Sequence, residues 1–254
     1  MLDYMMPGWA HRTRAGASSG VAHRMNAQRG GAVPPNLFSA LFSDTGQELE
    51  ISDANQTGLD ITGDLSVQAW VKKDDDAASH LCILGKAELS SQISYYLNYD
   101  NVGGERWYFV LSGNGSTLST HSSVSRSIGA VWCHISVVYD AAAQTVTFYE
   151  NGSIIGTPLS STVAAIHDSP SPFRIGRRTA AYPQHYFTGG IDEVRVWSRT
   201  LSADEIAANY STRIVAPQAG LVGCWALEED LTDCSGNGNE LSGGASFVSD
   251  VPFM

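Results

Sequence analysis

Phe187-Thr-Gly-Gly-Ile-Asp-Glu-Val-Arg-Val-Trp-Ser-Arg-Thr-Leu-Ser-Ala-Asp-Glu-Ile-Ala-Ala-Asn-Tyr210 is the stretch around which the rest of the chain arranges itself. Ile191, Val194, Val196 and Trp197 are strand-type residues, and Gly189-Gly190 before them permits a bend or a close backbone approach. Ser202 followed three positions later by Glu205 is a capping box, and Ile206 and Tyr210 then share one face of a short helix. A strand running into one capped helix is therefore expected here.

Working backward, short apolar runs alternate with turn residues from Asn36 onward, as an antiparallel sandwich requires. Ala40–Ile51 reads as two strands around Asp44-Thr45-Gly46. Leu65, Val67, Ala69 and Val71 fall on one face of a strand, and Asn151-Gly152 marks a two-residue hairpin between Thr145–Glu150 and Ser153–Ile155. The signature stretch resembles that of the LamG-like (laminin-G-like, concanavalin A-like) jelly-roll family: a glycine, an Ile-Asp-Glu-Val-Arg strand and a Leu-Ser-x-x-Glu-Ile helix. Gly63-Asp64 through Trp70-Val71, the Trp132-Cys-His-Ile135 strand ending in Tyr139-Asp140, and the Asp233-Cys-Ser-Gly-Asn-Gly238 loop are also similar to that family. The resemblance spans roughly residues 38–250 and implies an all-β, two-sheet antiparallel jelly-roll sandwich with one short helix.

Apolar residues make up 43% of the 254, enough for one sizeable core. The net charge of −11 argues against a phosphate-led grip on nucleic acid. Charge is unevenly placed. Residues 1–35 carry Arg12, Arg14, Arg24 and Arg29 against Asp3, a net +3, which leaves −14 for residues 36–254. The division expected is an extended basic Gly/Ser/Arg arm over residues 1–35 and a sandwich domain over 36–254. No run of 18 apolar residues suggests a membrane span, and no basic-then-apolar leader opens the chain.

Catalysis by paired carboxylates needs two acids converging on one cleft. Asp192 and Glu193 are adjacent on a strand, so ordinary alternation sends them to opposite faces. Asp192 is expected to accept amides of the turn beside Gly189-Gly190. Cys133-His134 diverge for the same reason, and His134 is expected to be a hydrogen-bonded histidine of the sheet. No enzyme is expected, with a glycoside hydrolase kept as a minor alternative. No organic cofactor is implied. Ca²⁺ is the metal such loops would take, with Asp74-Asp75-Asp76 or Asp230, Asp233, Asn237 and Asn239 as ligands. Cys224 and Cys234 bracket a short loop and are either reduced or joined in a disulfide.

Tyr96 and Asn98 share one strand face, Tyr95, Leu97 and Tyr99 the other, and Trp107-Tyr108 opens the next strand. Whichever face is outward offers rings for a sugar, and Tyr96, Asn98 and Trp107 are the candidate ligand residues; the competing arrangement puts these rings in the core. Trp70, Trp132, Trp197 and Trp225 lie in apolar strand runs and read as core. The function expected is a non-catalytic binding or assembly module. Its first form is a decoration-type surface protein of a large particle such as a phage virion, with Arg12, Arg14, Arg24 and Arg29 anchoring it to a protein lattice or to other copies of itself. The alternative is a secreted or cell-surface adhesin that binds glycan or protein. Both place it outside the cell or on a virion surface.

Overall fold

The alternating segments become fifteen strands and one α-helix in the computed structural model, which describes residues 33–43, 46–74, 80–89, 91–100, 104–179, 181 and 185–253. Arg12, Arg14, Arg24 and Arg29 lie outside the described residues, as do Asp75 and Asp76. In chain order the first strands are β1 (Ser39–Phe42), β2 (Leu49–Ile51), β3 (Leu65–Lys73), β4 (His80–Ala87), β5 (Ile93–Asp100), β6 (Arg106–Ser112) and β7 (Leu118–Ser122). There follow β8 (Cys133–Asp140), β9 (Thr145–Glu150), β10 (Ser153–Ser160), β11 (Phe173–Ile175), β12 (Gly189–Trp197), helix α1 (Ala203–Asn209), β13 (Leu221–Trp225), β14 (Ser242–Gly243) and β15 (Ser246–Val248).

Two antiparallel sheets face each other. The first runs β10-β9-β8-β3-β12-β1-β15, with β13 also pairing β12; the second runs β14-β2-β11-β4-β5-β6-β7. β1 and β2 do not form a hairpin, although a turn separates them in sequence. β1 pairs β12 and β15 in the first sheet, and β2 pairs β11 and β14 in the second, so the chain crosses between layers at this point. Asn151 (φ 48°) and Gly152 (φ 78°) do close the β9–β10 hairpin, both in the left-handed region that a type I′ turn needs.

The inner faces meet in one core. Val67, Ala69 and Val71 of β3, Tyr95, Leu97 and Tyr99 of β5, Ile135 and Val137 of β8 and Val194 and Val196 of β12 are all buried in it. Each large side chain there contributes about 1.5–3 kcal/mol through burial. A second cluster forms on the outside of the first sheet, where Ile206 of α1 packs with Trp197, Leu201, Ile214, Leu221 and Cys224. Ser202 and Glu205 make the reciprocal capping box that starts α1. With seven residues, α1 is neither long nor apolar enough to cross a membrane, and no other helix among the described residues is.

Of the four tryptophans read as core, Trp225 lies in the main core and Trp197 in the second cluster. Trp70 stands on the outer face of the first sheet against Tyr210 and Phe253, with ring centroids at 6.2 and 6.0 Å. Trp132 is only half-buried and donates Nε1 to Asp250 at 3.0 Å. Trp70 is nevertheless buried, at 7% exposure, beneath the covering segment rather than between the sheets. Trp132 runs against the expectation, because an apolar neighbourhood in sequence does not say which side of a strand a ring takes.

Candidate functional site

The sandwich has two outer faces, and one of them is closed. Over the first sheet, the segment after α1 covers Trp70 and Arg195: Trp70 Nε1 donates to the Tyr210 carbonyl at 2.7 Å, and Arg195 donates to the carbonyls of Asn209 and Thr212. Ser66 accepts from the Leu201 amide. The outer face of the second sheet carries an open concavity on its strands.

That concavity, about 130 Å³ in volume, is lined by His80, Tyr96, Asn98, Asp100, Tyr108 and Thr120. Strand register brings them together: Asn98 of β5 lies opposite Tyr108 of β6 and Cys82 of β4, Asp100 opposite His80, and Val110 opposite both Tyr96 and Thr120 of β7. At its floor Asn98 is 7% exposed, and its Oδ1 is buried without a hydrogen-bond partner. A buried polar atom left in that state costs roughly 1–3 kcal/mol, so this oxygen is suited to a donor from outside. Tyr96 leans over Gly85, where an added Cβ would come within 2.4 Å of the Tyr96 Cβ. The Arg178 guanidinium covers the Tyr96 ring at 4.5 Å, leaving Tyr108 as the half-buried ring beside Asn98.

The rim carries mixed charge. His80 Nδ1 lies 3.4 Å from the Asp100 carboxylate, and its ring stacks on His185 at 4.9 Å. Burial, with His80 and Arg178 nearby, brings His185 down to about 4, so that ring is neutral at pH 7. Across the sheet, Arg174 is held by Glu48, Glu50 and Glu88. A larger depression of about 410 Å³ lies between the β6–β7 turn and residues 162–165. It offers no orphaned buried side chain among the described residues, and Asn114 there spends its Oδ1 on the amides of Ser116 and Thr117.

Two of the three ligand residues expected from sequence, Tyr96 and Asn98, thus line the concavity. Trp107 does not: it is wholly buried in the core, edge-on to Tyr99 at 4.9 Å, with Nε1 donating to Glu150. Alternation along β6 turns Trp107, Phe109 and Leu111 inward and Tyr108 outward, so Tyr108 takes the place expected for Trp107. His80, Asp100, Thr120 and Arg178 were not singled out in the sequence. They reach the site by cross-strand register and by a loop, neither of which has a local signal.

Asp192 and Glu193 also depart from expectation. Asp192 opposes Trp70 and Arg195 opposes Gln68, so Glu193 and Val194 together stand against Ala69 alone. This bulge, with Glu193 at φ 47°, cancels one step of alternation. Both acids therefore lie on the outer side of the first sheet. They remain apart chemically: Glu193 binds Arg195 at 2.8 Å and Arg213 at 3.0 Å, while Asp192 accepts from Asn36 at 2.8 Å and from the Glu193 amide rather than from the Gly189-Gly190 turn. Burial, reinforced by Glu193 and Glu228, holds the Asp192 carboxyl well above the usual carboxylate range against the opposing Asn36 bond. Arg213 also donates to the carbonyls of Pro34 and Pro35, so the end of the stretch read as arm packs on the sandwich.

Cys133 faces the core and His134 the outer side, so they form no dyad. His134 is not fully hydrogen-bonded: Nδ1 meets Ser136 Oγ at 3.4 Å, but Nε2 has no partner, and burial beside Arg195 keeps the ring well below its ordinary pKa. In the 233–239 loop the Asp233 and Asn239 oxygens proposed for Ca²⁺ are already engaged. Asp233 accepts the amides of Cys224, Ser235 and Asn239 and the Ser235 hydroxyl; Asn239 Oδ1 accepts the Thr57 amide. Asn237 aims its Nδ2 at the carbonyls of Leu221 and Val222. Such a set ties loop to strand and does not fit a hard cation, which needs oxygens turned to a common centre. Among the described residues, no three acidic, histidine or cysteine groups gather in a metal-binding arrangement. Cys224 and Cys234 are joined in a disulfide with Cα atoms 5.0 Å apart.

Residues 43–207 match the family described as the concanavalin A-like lectin/glucanases superfamily. Among solved structures, a Bacteroides ovatus protein assigned as carbohydrate binding overlays with a TM-score of 0.67 at 18% identity, covering 87% of this chain and 62% of its own. A heptameric SAP-like pentraxin from Limulus polyphemus overlays at 0.60 and 15% identity, over 85% of this chain and 96% of its own. The Ruminococcus gnavus IT-sialidase CBM40, bound to α2,3-sialyllactose, gives 0.52 at 18% identity, over 70% of this chain and all of its own. At these identities the likeness is one of fold. No curated protein matches the chain.

Proposed function

Because the chain belongs to the concanavalin A-like lectin/glucanase superfamily, we propose that it is a non-catalytic glycan-binding module whose ligand rests on the outer face of the second sheet. The observation that carries this is Asn98 Oδ1, a buried acceptor without a partner at the floor of a concavity bordered by Tyr108 and Asp100. A sugar hydroxyl supplies the missing donor, and the half-buried Tyr108 ring supplies an apolar wall with a polar tip. Similar folds described as binding carbohydrate support the same direction. Glycosidic cleavage takes two carboxyls flanking one bond; Asp100 is the single carboxylate among the described residues lining the concavity.

The particle-surface role that led in the sequence rests on Arg12, Arg14, Arg24 and Arg29, and no described residue bears on it. The binding module that stood second is the one the sandwich geometry favours. The test is glycan binding by the full chain, measured by calorimetry, for wild type, Asn98→Leu and Tyr108→Ala. Micromolar to millimolar binding, weakened about tenfold or more in both variants while far-UV circular dichroism is unchanged, is expected from the loss of one hydrogen bond or one ring contact. Absence of any glycan ligand, or a ligand indifferent to both substitutions, overturns the proposal.

A further inference from the structure

A second pocket lies on the outer side of the first sheet, where the chain before β1 meets the segment after α1. Residues 33–36, residues 211–213 and Phe253 line it, around a volume of about 190 Å³. We infer that this pocket binds a flat apolar ring carrying a single hydrogen-bond donor, of which indole is the type, independently of the glycan site on the second sheet. Such a ring comes from a free indole compound or from the tryptophan side chain of a protein, and suitable probes separate the two sources.

Asn36 carries the argument. It is 1% exposed, yet its Oδ1 is buried without a hydrogen-bond partner. Its Nδ2 is committed to Asp192 at 2.8 Å, so Oδ1 is the amide atom left to the pocket. The backbone on both sides of it is pinned. Arg213 Nη1 donates to the carbonyls of Pro34 and Pro35 at 3.3 and 2.8 Å, and the Leu37 amide donates to Glu228 at 2.9 Å. Asn36 cannot swing out to water without giving up these bonds. A donor brought from outside therefore meets an acceptor that is already desolvated and already in place.

The other polar side chains of the pocket are engaged or face water. Arg213 Nε holds Glu193 at 3.0 Å and its Nη1 lies 3.7 Å from Glu228, so its charge is met within the protein. The Thr212 hydroxyl donates to the Ala208 carbonyl, the Thr212 carbonyl accepts from Arg195, and Ser211 is exposed. Val33, Pro34, Pro35 and Phe253 present hydrocarbon. One donor on an otherwise apolar ring answers this inventory, and an indole N–H donates without accepting. A sugar does not answer it, because most of its carbons carry a hydroxyl and each one buried against hydrocarbon without a partner is penalised. A charged ligand finds no unmatched counter-charge. The pocket is also smaller than the range of about 300–1,000 Å³ usual for drug-sized ligands, which suits one ring system.

Titration of the full isotope-labelled chain with indole, followed through its amide chemical shifts, provides the test. Indole is expected to bind in the millimolar range or tighter, with the largest shifts at Asn36, Leu37, Thr212, Arg213 and Phe253. N-methylindole, which has lost the N–H, and benzofuran, which carries an acceptor in its place, are expected to bind about fivefold or more weakly, as the loss of one hydrogen bond at a buried acceptor implies. That comparison is made on the wild-type protein and needs no variant to fold. N-acetyltryptophanamide shifting the same amides assigns the pocket to a tryptophan of a partner protein; its exclusion while indole binds assigns the pocket to a free compound. N-methylindole or benzofuran bound as tightly as indole overturns the donor requirement and with it the inference. So does the absence of shifts at the solubility limit of indole, or shifts centred on Asn98 and Tyr108 instead. Maltotriose shifting the residues 33–37 and 211–213 in place of indole would overturn the ligand class. None of these indole results bears on glycan binding at the second sheet, which Asn98→Leu and Tyr108→Ala test separately.

Discussion

Replacing Lys86 by methionine should unfasten one rim of the sandwich. Lys86 lies on β4 with its ammonium fully buried, bonded to Asp53, to Asp60 at 2.8 Å and to the carbonyls of Ser169 and Ser171 at 2.5 and 2.9 Å. It thereby ties residues 53–60 and 169–171 to the second sheet. Lys86→Met keeps the apolar stem and removes the charge. Asp53 and Asp60 are 37% and 42% exposed and recover water, so little of the loss comes from them. Ser169 and Ser171, at 1% and 0% exposure, keep carbonyls that lose the ammonium donor inside the protein. At roughly 1–3 kcal/mol for each orphaned group, partly offset because a buried ammonium no longer has to be desolvated, the net loss is about 2–4 kcal/mol. For a domain of this size that lowers Tm by about 5–12 °C. Urea unfolding followed by tryptophan fluorescence measures it through the midpoint at unchanged slope. A change under about 0.5 kcal/mol would refute the reasoning, since it would mean that water serves both carbonyls as well as the ammonium does.

Two further expectations concern stability. Reducing the Cys224–Cys234 disulfide, or replacing both cysteines by serine, opens a loop with a sequence separation of 10 and should cost about 2.5–3 kcal/mol by loop-closure entropy; a melting curve unmoved by reductant would contradict this. His134 is held neutral in the fold, so the unfolded chain binds a proton that the native protein does not once pH falls below about 6.5, and the wild type should lose up to about 1.4 kcal/mol per pH unit from this site. By pH 5 the advantage of wild type over His134→Gln should be smaller than at pH 7, and a pH-independent difference between the two would show that His134 protonates freely in the native state.

Features with a local cause were legible in the sequence. Asn151-Gly152 closes a hairpin because both residues tolerate positive φ. Ser202 and Glu205 start α1 because their side chains reach each other's backbone amides across one turn. Leu65, Val67, Ala69 and Val71 turn inward together because strand side chains alternate with period two. The same period divided Tyr96 and Asn98 from Tyr95, Leu97 and Tyr99, without saying which set faces water.

That choice belonged to the tertiary structure. The segment after α1 folds back over Trp70 and Arg195 and closes the first sheet, so the second sheet's outer face carries the concavity. Register between β5 and β6 put Tyr108 beside Asn98 and sent Trp107 into the core. One bulged residue, Glu193, brought Asp192 and Glu193 to the same side against the period that separates neighbours. Alternation, caps and turns act over a few residues and are written locally. Register, bulges and the covering of one face arise from contacts between segments far apart in the chain, and only the folded protein brings those together.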